Sequence, residues 1–324
     1  MRKVVKNICI GKTAEADEFV SRLVRLRGSG NVKHLDWGES VTGLGHCMEE
    51  WNGSGEMEMH VYLFPERKEP ALRQIRAICC KCLCFKSCVI YLWDSGESRP
   101  PSVFWMEDFL ANEEECRFYR FPFARPNIWQ IGLKRTFDIV FCFLSLVLLS
   151  PVFLLCALLI KLDSAGPVFY SQLRIGLKGK AFRIYKFRSM RVGAEQGKPE
   201  LSNEEDPRIT AWGRIMRRYR IDELPQLWNV IKGDMSLIGY RPERDYFIEK
   251  IEQVFPLYSL LYGIRPGITS QGMVNYGYAE NVDEMLERLG EDMDYLRKLT
   301  VKPIRQDLKV MLKTVQVVFR GLGK

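Results

Sequence analysis

The chain has 324 residues, of which 47% are hydrophobic and 27% charged, and this composition argues against global disorder, collagen and low-complexity filaments. Its length suits about two domains. Lys and Arg balance Asp and Glu at 18 against 18 through residue 130, whereas the remainder has 30 against 22. The net charge of +8 therefore belongs to the second part, which predicts an anionic partner there: nucleic acid, a lipid surface or an anionic substrate.

Short apolar runs alternate with helix-like stretches over the first 130 residues. The strand-like runs are Val4–Ile10, Met59–Phe64 and Val89–Trp93, and the helix-like stretches are Ala14–Leu26 and Glu69–Cys82. This alternation predicts a small α/β domain over residues 1–130 with a mostly parallel sheet. Its first turn lacks the upstream glycine of a phosphate-binding loop, and no GxGxxG follows a strand, so the sequence does not support a nucleotide site in this domain.

Ten cysteines and no N-terminal apolar signal segment predict a reducing compartment with free thiols. Five of them crowd into ten residues: Cys79, Cys80, Cys82, Cys84 and Cys88. Because the spacing is not that of paired CxxC motifs and no histidine lies nearby, small apolar packing is favoured over a zinc or iron–sulfur site. Residues 100–126 are rich in aromatic residues and proline, and are interpreted as either a packed connector or a segment that rests on a membrane.

Residues 139–160 form an uncharged segment of 22 residues. A straight helix of that length would cover about 33 Å, enough to cross a hydrocarbon core of about 30 Å. However, Ser150 and Pro151 lie near its middle, and the proline cannot donate a hydrogen bond to the Val147 carbonyl. We therefore expect a break there, with side-chain or water partners for the freed backbone groups.

The flanks of this segment indicate its topology. The cysteine-rich first part and the many Lys and Arg residues that follow the segment are both expected on the cytosolic side. A helix that enters the membrane, breaks at Ser150 and Pro151 and returns satisfies this condition. The alternative is a buried helix pair in the core of a soluble protein.

The region after residue 130 excludes several mechanisms by its composition. All three histidines precede residue 131, and the only later cysteines, Cys142 and Cys156, lie inside the apolar segment. Ser-His-Asp, Cys-His and His-based zinc chemistry would therefore need the first domain to reach across. Carboxylates and arginines remain as candidates.

Arginines and two adjacent carboxylates are concentrated between residues 214 and 233. Asp222 fits a helix N-cap, Pro225 a first turn and Gly233 a helix end, so one interpretation is a capped helix. The other is catalytic: a carboxylate at the positive end of a helix, beside arginines, stays ionised, and the same end attracts phosphate. The neighbouring Glu223 can share a magnesium ion with Asp222. At this point both interpretations stay open.

Several ordered motifs of this region resemble one family. They are KRTFD at 134–138, GPVF at 166–169, KFRSM at 186–190, DPRIT at 206–210, DELPQLWN at 222–229 and RPGIT at 265–269. From residue 134 to the C-terminus the chain is similar to the bacterial sugar transferases, monotopic phosphoglycosyl transferases that start capsule, exopolysaccharide, O-antigen and glycoprotein glycan assembly. Two positions depart from the family pattern: Tyr240 replaces a usual proline before Arg241, and Ser270 replaces a glycine.

The resemblance implies an α-rich (α+β) membrane-associated catalytic domain over residues 131–324, with Ser150 and Pro151 at the break of a re-entrant helix over 139–160. It implies that a catalytic aspartate attacks a UDP-sugar, releases UMP and forms a covalent phosphosugar, which polyprenyl (undecaprenyl) phosphate then accepts. The catalytic and metal-binding residues would be Asp222 and Glu223, with Mg²⁺ as cofactor. Candidates for substrate contacts are Arg217, Arg241 and Arg265, whereas Lys186 and Arg188 are expected to have a structural or lipid-surface role.

The implied partners are the UDP-sugar donor, the polyprenyl phosphate acceptor and membrane lipid, with no nucleic acid; a homodimer and downstream glycosyltransferases are further candidates. The implied location is the bacterial inner (cytoplasmic) membrane, with both domains on its cytoplasmic face. Two other functions stay open: a non-enzymatic membrane adaptor, and direct glycosyl transfer that releases UDP.

A last apolar stripe recurs at helical spacing near the C-terminus, at Ile304, Leu308, Met311, Val315 and Val318. Core packing is favoured for it over an interfacial helix.

Overall fold

The structure is a computed structural model that describes residues 4–11, 13–51, 57–64, 69–82, 87–93, 105–108, 117–124, 128–194, 206–277, 279–299 and 303–321. The chain divides into two compact units. The first consists of residues 1–125 and 251–263, and the second of residues 126–250 and 264–324. Residues 251–263, which interrupt the second unit in sequence, therefore belong to the first unit.

The first unit contains a six-stranded sheet with the order β2-β1-β3-β4-β6-β5. Its strands are β1 (Val4–Ile10), β2 (Val32–Leu35), β3 (Met57–Leu63), β4 (Ser87–Trp93), β5 (Trp105–Asp108) and β6 (Arg117–Ala124). The first four pair in parallel, and β5 and β6 pair antiparallel at the other edge. This confirms the predicted α/β fold with a mostly parallel sheet. Strand β2 was missed, because four residues give too short a pattern.

Three helices connect the parallel strands: α1 (Ala14–Arg27), α2 (Ser40–Trp51) and α3 (Glu69–Cys82). Cys79, Cys82 and Cys88 are buried free thiols, as packing predicted, while Cys84 lies outside the described residues. The aromatic segment over residues 100–126 is a sheet edge where the structure describes it, since β6 pairs with β4 along its length. Residues 117–124 are therefore an integral strand of the sheet.

Residues 251–263 pack inside the first unit. They form the end of α8 (Asp245–Val254) and a 3₁₀ helix (Pro256–Gly263) that contacts α3. Leu257, Leu260 and Leu261 of this 3₁₀ helix are fully buried. Arg76 of α3 donates two hydrogen bonds to Glu252, of 3.2 and 2.7 Å. Apolar burial and a bidentate ion pair thus both hold the segment in this unit.

The second unit is largely helical. Its helices are α4 (Ile128–Leu148), α5 (Ser150–Asp163), α6 (Ala211–Arg218), α7 (Gln226–Lys232), α9 (Gln271–Asn275), α10 (Val282–Leu299) and α11 (Pro303–Phe319), with the first part of α8. An antiparallel hairpin joins β7 (Phe169–Ile175) to β8 (Ala181–Phe187), and β9 (Ser236–Ile238) pairs in parallel with β10 (Gly267–Thr269). The α-rich α+β character agrees with expectation.

The apolar segment breaks where Ser150 and Pro151 predicted. Helices α4 and α5 are bent by 61° across Leu149. The Ser150 hydroxyl donates a 2.8 Å hydrogen bond to the Val147 carbonyl, the acceptor that Pro151 cannot serve, so the expected side-chain partner is present. In the described part of the chain no helix alone has the length and hydropathy to cross a membrane, whereas the bent pair has both together.

Helix α11 exposes an apolar face. Ile304, Leu308 and Val315 are exposed, together with Leu312 and Phe319 of the same face. The expectation that this stripe packs in the core is therefore wrong for these residues. The periodicity correctly identified one apolar face of the helix, but it did not show whether that face is buried in the protein.

A buried arginine holds the end of α5. The Arg188 guanidinium donates to the carbonyls of Ala165 and Ser164, at 2.9 and 2.6 Å, and so satisfies backbone acceptors just beyond the helix. It fits because Gly166 has no side chain: the glycine adopts φ +127°, and a Cβ there would overlap the guanidinium. This is the structural role expected for Arg188.

We expect Gly166→Ala to lower the free energy of unfolding by about 3 kcal/mol, because it adds backbone strain and displaces the Arg188 guanidinium. Gly132→Ala, within α4, is the matched control, since nothing lies within 4 Å of the added Cβ. It should be neutral or slightly stabilising. Denaturant unfolding of both variants in detergent measures the difference, and equal stabilities would contradict the assignment.

Candidate active site

The two adjacent carboxylates lie in a tight turn. Arg220 adopts a left-handed conformation, with φ +55°, and a 3₁₀ helix follows over Ile221–Glu223. Helix α7 begins only at Gln226 and ends at Lys232, with Gly233 as its C-cap, as the glycine predicted. Asp222 therefore lies inside the turn and is not the N-cap that the sequence suggested. The reason is that the chain makes a 3₁₀ turn before the α-helix begins.

Glu223 is buried among three cations. Its Oε1 accepts a 2.8 Å hydrogen bond from Lys186 Nζ and lies 3.6 Å from Arg241 Nη1, while its Oε2 lies 3.5 Å from Arg220 Nη1. Burial alone would raise the pKa of Glu223, but Lys186, Arg241 and Arg220 together hold the pKa well below its usual range. The side chain is therefore a carboxylate at neutral pH, and its charge is matched by neighbours.

Asp222 differs sharply from its neighbour. Burial, together with the negative charge of Glu223, raises its pKa to about 6 against the opposing effects of Lys186 and Arg217. A carboxyl with this pKa is still mostly ionised at neutral pH, as expected, although desolvation outweighs the effect of the nearby cations. Asp222 Oδ1 is buried and has no hydrogen-bond partner among the described residues. A buried acceptor without a partner is energetically unfavourable, and a ligand or metal ion that contacts Oδ1 would remove this cost.

A cavity of about 480 Å³ in the second unit opens onto Asp222. Its walls are strongly basic, and the cationic side chains on them are Arg174, Lys186, Arg188, Arg191, Arg208, Arg217, Arg241, Arg244 and Arg288. Phe169, Tyr170 and Phe247 add an aromatic part. A site with this many cations and a few aromatic rings suits an anionic ligand that also has a flat or apolar portion.

Of the five predicted catalytic and substrate-binding residues, the structure places three on the cavity wall, Glu223 beside one of these three, and Arg265 elsewhere. Asp222, Arg217 and Arg241 line the cavity, and Arg217 Nε donates a 3.0 Å hydrogen bond to Ser189 Oγ. Arg265 is not among the cavity-lining residues. Its Nε donates to the Gly233 carbonyl at 3.0 Å, so this arginine caps the C-terminal end of α7.

Sequence reasoning missed Lys186 as a site residue. It lies 37 positions before Glu223, on β8, and only the pairing of that strand with the rest of the unit brings the two side chains together. Its place in the KFRSM motif was the available signal, but the motif alone gives no partner.

The described residues contain no cluster of three His, Cys, Asp or Glu side chains that could hold a metal ion. Mg²⁺ nonetheless often uses only one or two carboxylates together with substrate phosphates. The open Oδ1 of Asp222 fits that pattern. Both oxygens of Glu223 already face cations, which makes this residue the poorer ligand.

Comparison with known proteins identifies the family. Residues 129–321 match the family model described as bacterial sugar transferase. A UDP-N-acetylgalactosamine-undecaprenyl-phosphate N-acetylgalactosaminephosphotransferase of Aeromonas hydrophila is 39% identical over 191 residues, which cover 59% of this chain and 44% of the relative. A UDP-glucose:undecaprenyl-phosphate glucose-1-phosphate transferase of Escherichia coli K12 is 38% identical over 191 residues, covering 58% and 40%.

A glucose-1-phosphate transferase of the same description from Caulobacter vibrioides is 40% identical over 188 residues, which cover 56% of this chain and 68% of the relative. The alignments with the Aeromonas and Escherichia proteins span less than half of those proteins. The family model covers more than half of this chain, from the start of α4 to the end of α11, and includes every motif on which the resemblance rested. The chain therefore belongs to the bacterial sugar transferase family, as predicted.

Proposed function

We propose that the protein transfers a phosphosugar from a UDP-sugar to polyprenyl (undecaprenyl) phosphate, with release of UMP, and so initiates synthesis of a bacterial polysaccharide or glycan. The observation that carries the proposal is Asp222: a buried carboxylate with an open oxygen, on the wall of a cavity lined by arginines. The names of the relatives support the donor and acceptor classes. These names differ in the sugar, so they do not specify the sugar for this chain.

In the proposed reaction, an Asp222 oxygen attacks the sugar-linked phosphorus of the donor. A new bond joins this oxygen to phosphorus, the bond from phosphorus to the bridging oxygen breaks, and UMP leaves with that oxygen. An oxygen of polyprenyl phosphate then attacks the same phosphorus and releases the Asp222 carboxylate. The products are a polyprenyl diphosphate sugar and the original enzyme.

The other residues organise charge. Arg217 and Arg241 lie on the cavity wall and would contact the donor diphosphate. Glu223 holds Lys186 and Arg241 in place through its ion pairs, so its role is to arrange the cations rather than to attack. When Mg²⁺ is bound, it would offset negative charge on the phosphates, with Asp222 as the protein ligand that fits.

The bent helix pair supplies the means of reaching a lipid substrate. Many of its large apolar side chains are exposed, among them Phe143, Leu144, Leu148, Leu154 and Leu158. Exposure on this scale is typical of a surface that lipid or a partner covers. We propose that α4 and α5 enter the cytoplasmic membrane and return to the same face as a re-entrant pair, with the exposed face of α11 resting on the membrane surface. The part before residue 130 would be accessory to the chemistry.

Two other functions would give different reaction products. A non-enzymatic adaptor would bind lipid and release no nucleotide. A direct glycosyl transferase would release UDP, because the whole diphosphate would leave from the sugar.

The first prediction separates these functions. With a UDP-sugar and Mg²⁺ but no lipid acceptor, the protein should release about one UMP per chain and gain the mass of a phosphosugar. Asp222→Asn should abolish both signals, because an amide is a poor nucleophile of nearly unchanged size. Asp245→Asn, at an exposed carboxylate of the same unit, is the control and should behave as the native protein does. Near-normal turnover of Asp222→Asn would eliminate the proposal.

The second prediction concerns Glu223. Glu223→Gln keeps the size of the side chain but removes the charge that holds Lys186 and Arg241, so we expect kcat to fall by about 100-fold. Steady-state UMP release from Glu223→Gln provides the measurement, with Asp245→Asn as the control. An unchanged kcat in Glu223→Gln would show that its charge is not needed to arrange the cations.

The third prediction tests the re-entrant arrangement. Tags at residues 1 and 324 should both be protected from external label in intact cells. Replacing Ser150 and Pro151 with Ala and Leu restores a continuous helix and should expose one of the tags. External labelling of one tag in the unmodified protein would refute the proposed topology.

A further inference from the structure

A buried carboxylate outside the cavity connects two segments of the second unit. Asp292, on α10, is 3% exposed and is not among the cavity-lining residues. Its Oδ2 accepts a 3.2 Å hydrogen bond from the backbone N–H of Arg241, and its Oδ1 accepts one of 2.8 Å from the backbone N–H of Gly272. One side chain thus holds the segment that follows β9 and the first turn of α9.

The site is built for this carboxylate. A Cβ on Gly272 would lie 2.6 Å from the Arg288 carbonyl oxygen and 3.0 Å from Asp292 Oδ1, so only glycine allows α9 to approach α10 this closely. Asp292 joins two segments, one that follows β9 and one that follows β10, and these two strands pair in parallel. A 2.9 Å hydrogen bond from the Gly267 N–H of β10 to the Tyr240 carbonyl, beyond β9, links the same region. Burial raises the pKa of Asp292 to about 6, so at neutral pH the carboxylate is charged and accepts both bonds.

The side chain of Arg241 depends on both segments. Its Nη1 lies 3.6 Å from Glu223 Oε1 and 3.3 Å from the sulfur of Met273, the residue after Gly272. Asp292 therefore fixes the backbone from which the guanidinium extends and also the helix turn against which the guanidinium rests. A shift of either segment would move a cation on the cavity wall.

Helix α10 makes a second contribution one turn earlier. Arg288 Nη2 donates a 2.6 Å hydrogen bond to Glu243 Oε1, and the same oxygen lies 3.9 Å from Arg241 Nε. Arg174 holds the other oxygen of Glu243 at 3.3 Å. The guanidinium of Arg241 thus lies between Glu223 and Glu243. Helix α10 positions the backbone of Arg241 through Asp292. It also positions Glu243 through Arg288.

We propose that Asp292 is a positioning residue for the transfer reaction: it fixes the backbone of Arg241 and the start of α9, and thereby holds the Arg241 guanidinium in place to meet the donor diphosphate. This inference rests on the proposed function. Asp292 touches neither the substrate nor Asp222 in this role. A displacement of about 1 Å at a charged contact of this kind is enough to cost a large factor in rate.

The test is a double-mutant cycle between Asp292→Asn and Arg241→Gln. Asparagine keeps the size of the side chain, but its amide group has one acceptor oxygen and would set an N–H donor against a backbone N–H. We expect Asp292→Asn to lower kcat/KM for UMP release by 10- to 100-fold. In the Arg241→Gln background the same change should cost less than about twofold, because the group that it positions is already absent.

Asp283→Asn is the control, since Asp283 is an exposed carboxylate in the first turn of the same helix. Its effect should be equal with and without Arg241. A merely structural role of Asp292 would give the same factor in both backgrounds and would overturn the proposal. If Asp292→Asn does not fold, the cycle is run with Asp292→Glu, which retains the charge and both acceptors but shifts them by one methylene.

The same cycle is measured by calorimetric binding of UDP, so that two failures can be told apart. Loss of UDP affinity in Asp292→Asn that vanishes in the Arg241→Gln background supports the positioning role even if no variant releases UMP. Absence of UMP release from the native protein would instead refute the proposed function. Equal UDP affinity in the native protein and Asp292→Asn, with equal kcat/KM, would refute the role of Asp292.

Discussion

Two adjacent carboxylates cannot be buried together unless cations offset their charge, and this constraint shapes the second unit. The cations lie in three separate places: Lys186 on β8, Arg220 in its left-handed conformation just before the 3₁₀ turn, and Arg241 in the segment after β9. Each pairs with Glu223. Asp222 has an open oxygen, and burial raises its pKa. The division of labour between the two acids is therefore electrostatic, since their sequence neighbourhood is the same.

The surrounding architecture serves to deliver these charges. The β7–β8 hairpin brings Lys186 to the turn, and α10 fixes the segment that contains Arg241. Arginines of the unit also bind backbone carbonyls, as Arg188 does beyond α5 while lining the cavity and as Arg265 does at the end of α7. The basic surplus of the second part thus has two uses. Some cations are directed to the cavity, and others close helix ends.

Sequence reasoning succeeded where periodicity or a motif was strong. The bounds of Val4–Ile10 and Glu69–Cys82 agree with the strand and helix found there, and the break after Leu148 follows from a proline in an apolar run. It failed where the outcome depends on distant partners. The contact of Lys186 with Glu223 and the capping role of Arg265 both join residues far apart in sequence. Residue type alone cannot distinguish an arginine that faces an anion from one that closes a helix.

The stretch over residues 251–263 has a consequence for relatives that lack the first unit. It lies within the region that defines the family, yet Leu257, Leu260 and Leu261 are buried in the first unit. Recombination that removed the first unit would leave this apolar stretch facing water, where it would favour aggregation. Relatives that lack such an α/β part should therefore have polar side chains at these positions.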